Sequence, residues 1–168
     1  LNFSKDGIRE SGFAVVVEGY LDFIIPFQEG LKNIVASSGT ALTNEQARAL
    51  KRYTRNVVVV YDADNAGQLA TLRSLDIFLE EEMEVNVVSL PSGFDPDSFV
   101  RKHGIAAFKE LINQAKGLFD YKLSVMKSRY NPGEPAGKAK ISQEMLATVS
   151  KFKSAVLRSE YIKQLARE

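Results

Sequence analysis

Apolar residues gather into short runs rich in β-branched side chains through the first half of the chain. Phe13-Ala14-Val15-Val16-Val17, Asn33-Ile34-Val35-Ala36 and Val57-Val58-Val59-Val60-Tyr61 are three of them; the more polar Val85-Asn86-Val87-Val88-Ser89-Leu90 is a fourth. Continuous apolar runs of this length predict strands buried on both faces. Helical spacing separates them. Tyr20 to Glu29 is one helical segment. A second opens at Thr43-Asn44-Glu45-Gln46, where Thr43 caps and Gln46 reaches back, and runs to about Tyr53. A third runs from about Ala66 to Glu82, with Leu69, Leu72, Leu75, Ile77, Phe78 and Leu79 as its buried stripe. The order β-α-β-α-β-α-β predicts a parallel sheet with right-handed crossovers. After Pro91 the pattern is helical only, with helices expected over 97–103, 105–116, 118–130, 138–151 and 153–167. Asn131-Pro132-Gly133-Glu134-Pro135 breaks that run. The fold class is α/β: about four parallel strands flanked by helices, followed by an all-helical extension.

Composition narrows the function classes. Of 168 residues, 45% are hydrophobic and 26% charged, as in a folded globular protein. No apolar run approaches the roughly 20 residues of a membrane span. There is no cysteine, so disulfides and cysteine-based zinc sites are excluded, which is compatible with a cytoplasmic protein. The chain begins with Leu1 rather than Met and shows no signal pattern, so a segment of a longer chain is expected. The net charge of +1 hides an asymmetry. Residues 1–100 carry 8 Lys/Arg against 15 Asp/Glu, and residues 101–168 carry 14 against 6. An acidic half joined to a basic half suggests cation chemistry in one and a polyanion contact in the other.

Parallel α/β sheets bind ligands at the carboxyl ends of their strands. Here those ends are followed by Glu18-Gly19-Tyr20-Leu21-Asp22, by Ser37-Ser38-Gly39-Thr40, by Asp62-Ala63-Asp64-Asn65-Ala66-Gly67, and by Pro91-Ser92-Gly93-Phe94-Asp95-Pro96-Asp97. One end of the sheet would collect Glu18, Asp22, Asp62, Asp64, Asp95 and Asp97. Such carboxylates repel unless some are protonated or a cation neutralises them. Oxygen donors without nearby His or Cys select Mg²⁺ or Mn²⁺, and Mg²⁺ commonly shares its site with phosphates, which points to phosphoryl or nucleotidyl transfer. Each feature has a plainer explanation. Asp-x-Asp is commonly a turn, Glu18 suits a helix start, and Asp95 and Asp97 suit caps for a helix beginning near Ser98. Gly39 and Thr40 fit either a backbone approach to phosphate or a tight turn.

Val17-Glu18-Gly19-Tyr20-Leu21-Asp22, Gly39-Thr40-Ala41-Leu42-Thr43, Asp62-Ala63-Asp64-x-Ala66-Gly67 and Asp95-Pro96-Asp97-Ser98-Phe99-Val100-Arg101-Lys102-His103-Gly104 resemble bacterial DNA primases of the DnaG type. The first and third belong to the broader TOPRIM signature, shared with topoisomerases and nucleases; the second and fourth are closer to primases. The likeness spans roughly residues 13 to 168 and includes Gly137-Lys138-Ala139 and Arg158-Ser159-Glu160-Tyr161. It implies a Rossmann-like TOPRIM domain over 13–100, after a lead-in over 1–12 and before a basic helical subdomain over 101–168. It also implies an enzyme that joins ribonucleoside triphosphates into RNA primers on a single-stranded DNA template, passing through an RNA–DNA hybrid. By the same resemblance Asp62, Asp64 and Asp95 hold divalent ions, Glu18 is a ligand or proton acceptor, and Asp22 and Asp97 complete the acidic set. Two positions depart from many relatives: Ala63 stands where a glycine is common and Gln68 where an arginine is. A zinc module, an N-terminal polymerase subdomain and the domain that meets the replicative helicase are expected outside this chain, so little priming is expected from it alone.

Lys51, Arg52, Arg73, Arg101 and Lys102 are candidate contacts to nucleotide or template phosphate. Lys51 and Arg52 equally suit a helix C-terminus. His103 reads as a solvated residue at a helix end, and Tyr121, Tyr130 and Tyr161 read as helix-packing residues. Three other functions fit parts of the pattern: a TOPRIM nuclease or type IA topoisomerase piece, a receiver-like domain with Asp62 as phosphate acceptor, and a module whose basic tail recruits a partner.

Overall fold

The structure, a computed structural model, describes residues 1–37, 42–61, 72 and 75–167. The chain forms two compact units, Leu1–Lys116 and Gly117–Glu168. The first is built on a sheet of β1 (Ala14–Val17), β2 (Ile34–Ala36), β3 (Asn56–Tyr61), β4 (Glu84–Ser89) and the two-residue β5 (Lys116–Gly117), in the order β2-β1-β3-β4-β5. β1 pairs in parallel with β2 and β3, and β3 with β4. Its described helices are α1 (Lys5–Ser11), α2 (Tyr20–Gln28), α3 (Asn44–Lys51), α4 (Asp76–Glu80) and α5 (Pro96–Asn113).

The valine-rich strands are buried on both faces, as parallel strands are. Val15, Val17, Val58, Val60 and Val88 share one core with Phe99, Val100, Phe108 and Ile112 of α5, and Phe23 and Phe27 of α2 pack against it. The alternate residues Ala14, Val16, Val57, Val59, Val85 and Val87 are also buried and project to the opposite face. Ala47 and Leu50 of α3, with Leu72, Leu75, Phe78 and Leu79, supply further buried apolar side chains. The Thr43–Gln46 capping box forms as expected, with Thr43 Oγ1 accepting from the Gln46 amide (3.3 Å) and Gln46 Oε1 from the Thr43 amide (3.0 Å).

Several expectations shift. The lead-in 1–12 folds into the first unit: α1 buries Ile8, and the Ser4 hydroxyl donates to the Ile34 carbonyl at 2.6 Å. Pro96–Asn113 packs on the sheet, so the compact boundary lies at Lys116 and not near residue 100. A short strand, β5, appears where only helix was expected. Gly104 divides α5, at φ 82° and ψ 162°, between the segments expected as two helices. Nothing lies within 4 Å of where its Cβ would be, so the requirement for glycine is conformational.

The second unit contains α6 (Leu118–Arg129), α7 (Pro135–Val149) and α8 (Ala155–Arg167). α7 starts three residues earlier than expected, because a proline at the first helical position gives up no helical hydrogen bond. Leu118, Phe119, Leu123 and Met126 of α6 are buried, as are Ile141, Met145 and Val149 of α7. Tyr161 of α8 stacks on Phe119 at 4.4 Å and lies 4.9 Å from Phe152, and Gln164 donates to Asp120 at 2.7 Å. Tyr161 is therefore a packing residue, as expected, and Tyr121 is buried. Lys122 is buried in this unit, where its ammonium donates to the Thr148 hydroxyl.

Candidate active site at the carboxyl end of the sheet

Because β1, β3 and β4 are parallel neighbours, the residues that come after them leave the same end of the sheet. Glu18 comes directly after β1 and is exposed. Gly19 precedes α2, and Asp22, three residues on, accepts the Gly19 amide through Oδ2 at 3.0 Å. A Cβ on Gly19 would stand 2.6 Å from that oxygen, so the missing side chain makes room for the Asp22 carboxylate. Asp95 caps α5. Its Oδ1 accepts the Ser98 amide at 2.7 Å and the Ser98 hydroxyl at 2.5 Å, and Ser98 Oγ in turn accepts the Asp95 amide at 3.1 Å. Asp97 accepts from Arg101 at 2.5 Å. The capping explanation of Asp95 thus holds locally. Both of its carboxylate contacts to Ser98 fall on Oδ1, and a carboxylate has further lone pairs on its second oxygen.

Charge links the two helix starts. Burial pushes the Asp22 carboxyl above its ordinary value; the Gly19 and Asp97 amides pull it down, and the negative charges of Asp95 and Asp97 push it further up. Asp95 is held below its ordinary value by the Ser98 hydroxyl and amide. Asp22, Asp95 and Asp97 are therefore brought within electrostatic reach of one another. No three acids among the described residues stand close enough to hold an ion by themselves.

The raised Asp22 pKa gives a stability prediction. A carboxyl whose folded pKa lies above its unfolded value weakens the fold as pH rises through that window, because the unfolded chain ionises first. Asp22→Asn is expected to raise Tm at pH 7 in EDTA, with the gain shrinking to nothing as pH falls below the ordinary carboxylate value. Thermal melts of both proteins across that range check it; an equal or lower Tm at pH 7 contradicts it.

Arg101 and Lys102 lie one turn beyond Asp97, with Lys102 Nζ 4.9 Å from the Phe94 ring centroid. His103 is exposed yet packs on Phe99 at 4.7 Å and Phe94 at 5.2 Å. Lys51 and Arg52 are not brought to this end. α3 runs antiparallel to the strands it connects, so its C-terminus falls at their amino ends, where Lys51 pairs with Glu82 at 3.8 Å, two residues before β4. Gly39, Thr40, Asp62, Asp64 and Arg73 lie outside the described residues. Ser98 and Gly19 are the positioning residues that the sequence pattern under-weighted. The Asp95-x-x-Ser98 spacing is a capping signal; the close approach at Gly19 has none.

Comparison with known proteins gives the family. A family model described as Toprim-like matches residues 15–100, and one described as the DnaB-helicase binding domain of primase matches residues 119–168. The second match falls on the helical unit, whereas a helicase-contacting domain was expected beyond this chain. A DNA primase of Clostridium acetobutylicum is 48% identical over 125 residues, covering 74% of this chain and 21% of that protein. A DNA primase domain from Pseudomonas aeruginosa has a TM-score of 0.86 at 32% identity, over 99% of this chain and 53% of that one. A DnaG primase catalytic domain bound to single-stranded DNA has a TM-score of 0.83 at 31% identity, over 98% of this chain and 54% of that one. The chain thus spans about a fifth of the first relative and about half of each solved domain. No described helix is long and apolar enough to cross a membrane. With its parallel sheet, its acid-bearing strand ends and these matches, the chain belongs to the Toprim-like family, among the DnaG-type primases.

Proposed function

We propose that this segment carries the divalent-metal site of a DNA-dependent RNA polymerase that makes RNA primers on single-stranded DNA. The observation that carries the proposal is that Glu18 follows β1 and Asp95 and Asp97 come after β4 at one end of the sheet, while Asp62 and Asp64 come next in sequence after β3, the strand between them. The donors are all carboxylate oxygens, the set that suits Mg²⁺ or Mn²⁺. Burial, with the negative charges of Asp95 and Asp97 added to it, raises Asp22, and a nearby cation would favour its ionised form.

In this proposal Glu18, Asp62, Asp64 and Asp95 hold the ions, and Glu18 also accepts the proton of the attacking 3′-hydroxyl. Bound Mg²⁺ supplies electrostatic stabilisation of the triphosphate and the leaving pyrophosphate. Ser98 fixes Asp95 so that one carboxylate oxygen remains for a ligand, and the Gly19 amide fixes Asp22 beside it. Arg101 and Lys102 contact nucleotide or template phosphate, a role also proposed on sequence for Gly39, Thr40 and Arg73. The substrates are ribonucleoside triphosphates and the product an RNA–DNA hybrid; the relative solved with single-stranded DNA supports the template. Residues 119–168 are the proposed contact for a replicative helicase, on the strength of the second family match.

Mn²⁺ titrated into the chain is expected to lose its free-ion electron paramagnetic resonance signal and to regain it as Mg²⁺ is added. A complete catalytic domain carrying this segment is expected to extend RNA on single-stranded DNA only with either ion. Synthesis that persists in EDTA, or millimolar Mn²⁺ bound by neither protein, overturns the proposal.

A further inference from the structure

The helical unit holds a cavity of about 210 Å³ between α6, α7 and α8. Leu123 of α6 and Ile141 of α7, each 5% exposed, form its floor with Leu165 and Ala166 of α8, and Lys127 and Lys138 also line it. No acidic side chain is among the described residues of its lining. α8 leaves the cavity open because it buries none of its residues completely. Ile162, 47% exposed, lies one turn before Leu165 and Ala166 and so extends the apolar strip along the same helix face. The charge of the unit favours an acidic visitor: Lys and Arg outnumber Asp and Glu ten to five over residues 117–168.

An apolar floor with the exposed Lys138 at its edge is matched by an apolar side chain with a carboxylate beside it. The volume equals roughly seven waters at about 30 Å³ each, which is room for one large side chain and not for a folded element. A phosphodiester backbone would meet the lysines and leave the floor uncovered. We propose that this cavity docks an acidic segment of a partner protein, whose leucine or phenylalanine enters beside Lys138 with a carboxylate facing that lysine. The match of residues 119–168 to a helicase-binding model gives the unit a protein partner but names no surface; the cavity supplies one. The inference rests on that reading of the helical unit and is independent of the metal site.

The probe is a fluorescein-labelled peptide, Asp-Asp-Glu-Asp-Leu-Phe, titrated into the 168-residue chain and followed by anisotropy. Binding is expected, and is expected to weaken roughly tenfold with Lys138→Glu, as for loss of an interfacial charge. The same loss is expected with Ala166→Trp, which fills the cavity from α8. Both substituted residues are exposed, and Lys138→Glu keeps the test intact if the tryptophan lowers Tm. Mn²⁺ binding is expected to be unchanged in Lys138→Glu, which separates this site from the catalytic one. Three results overturn the inference: no binding of the peptide, equal binding of a version with serines in place of Leu-Phe, or wild-type binding by both variants. Oligothymidylate that binds where the peptide does not, and is lost in Lys138→Glu, assigns the cavity to nucleic acid instead.

Discussion

Asp62→Asn, placed in a complete catalytic domain carrying this segment, is expected to cut primer synthesis roughly a hundredfold or more, about 2.7 kcal/mol of transition-state stabilisation. β3 is hydrogen-bonded to β1 on one side and β4 on the other. Asp62 follows it directly in sequence, as Glu18 follows β1. Asparagine keeps the shape of the side chain and removes the negative charge that strengthens an oxygen donor's hold on a hard divalent ion. The effect is expected to exceed that of Asp22→Asn, since the Asp22 carboxylate is already engaged by the Gly19 amide. Tm is not expected to fall, because one of several repelling charges has gone. Incorporation of labelled ribonucleotides on single-stranded DNA, alongside Mn²⁺ binding and a thermal melt, checks the three statements together. Full synthesis by the variant removes Asp62 from the site.

The largest stability effect is expected at Gly137. A Cβ there would lie 2.0 Å from the Asn131 carbonyl oxygen and 2.9 Å from its carbon. These are backbone atoms of a braced turn, in which Asn131 Oδ1 accepts the Gly133 amide at 2.9 Å and Asn131 Nδ2 donates to Glu134 at 3.0 Å. Alanine would ordinarily favour a helix over glycine by about 1 kcal/mol. Here the turn must move away from the start of α7, and overpacking of this kind costs about 1–3 kcal/mol. Gly137→Ala is expected to lower Tm by roughly 4–8 °C, with Gly133→Ala, whose nearest neighbour is a side-chain oxygen at 3.2 Å, close to wild type. Equal melting of the two variants contradicts the steric account. The Gly137-Lys138-Ala139 likeness to primases thereby gains a physical reason.

Strands were legible because both sheet faces are buried, so Val57 to Val60 carry no polar interruption to mislead the pattern. Helix α3 was legible from its Thr43–Gln46 box, and the division of α5 from Gly104. The order of strands was not, because β1 lies between β2 and β3 through pairings that no local pattern records. β5, at two residues, is too short to leave a periodicity. Within the proposed site, Glu18, Asp22, Asp95 and Asp97 were legible as acids placed just after strands. Which basic residues accompany them was not legible from charge alone. Lys51 and Arg52 are close in sequence to the site's loops, yet the direction of α3 carries them to the far end, whereas Arg101 and Lys102 stay near Asp97 because α5 begins there.

The break at Gly104 has a mechanical consequence. In an unbroken helix every residue gained or lost rotates the upstream turns by about 100° relative to the downstream ones. With the chain turned at φ 82°, the stretch that presents Asp95, Asp97, Arg101 and Lys102 is uncoupled in rotation from the Ile105–Asn113 segment packed on the sheet. Each stretch is therefore seated by its own buried pair, Phe99 and Val100 before the break and Phe108 and Ile112 after it, as long as position 104 stays glycine.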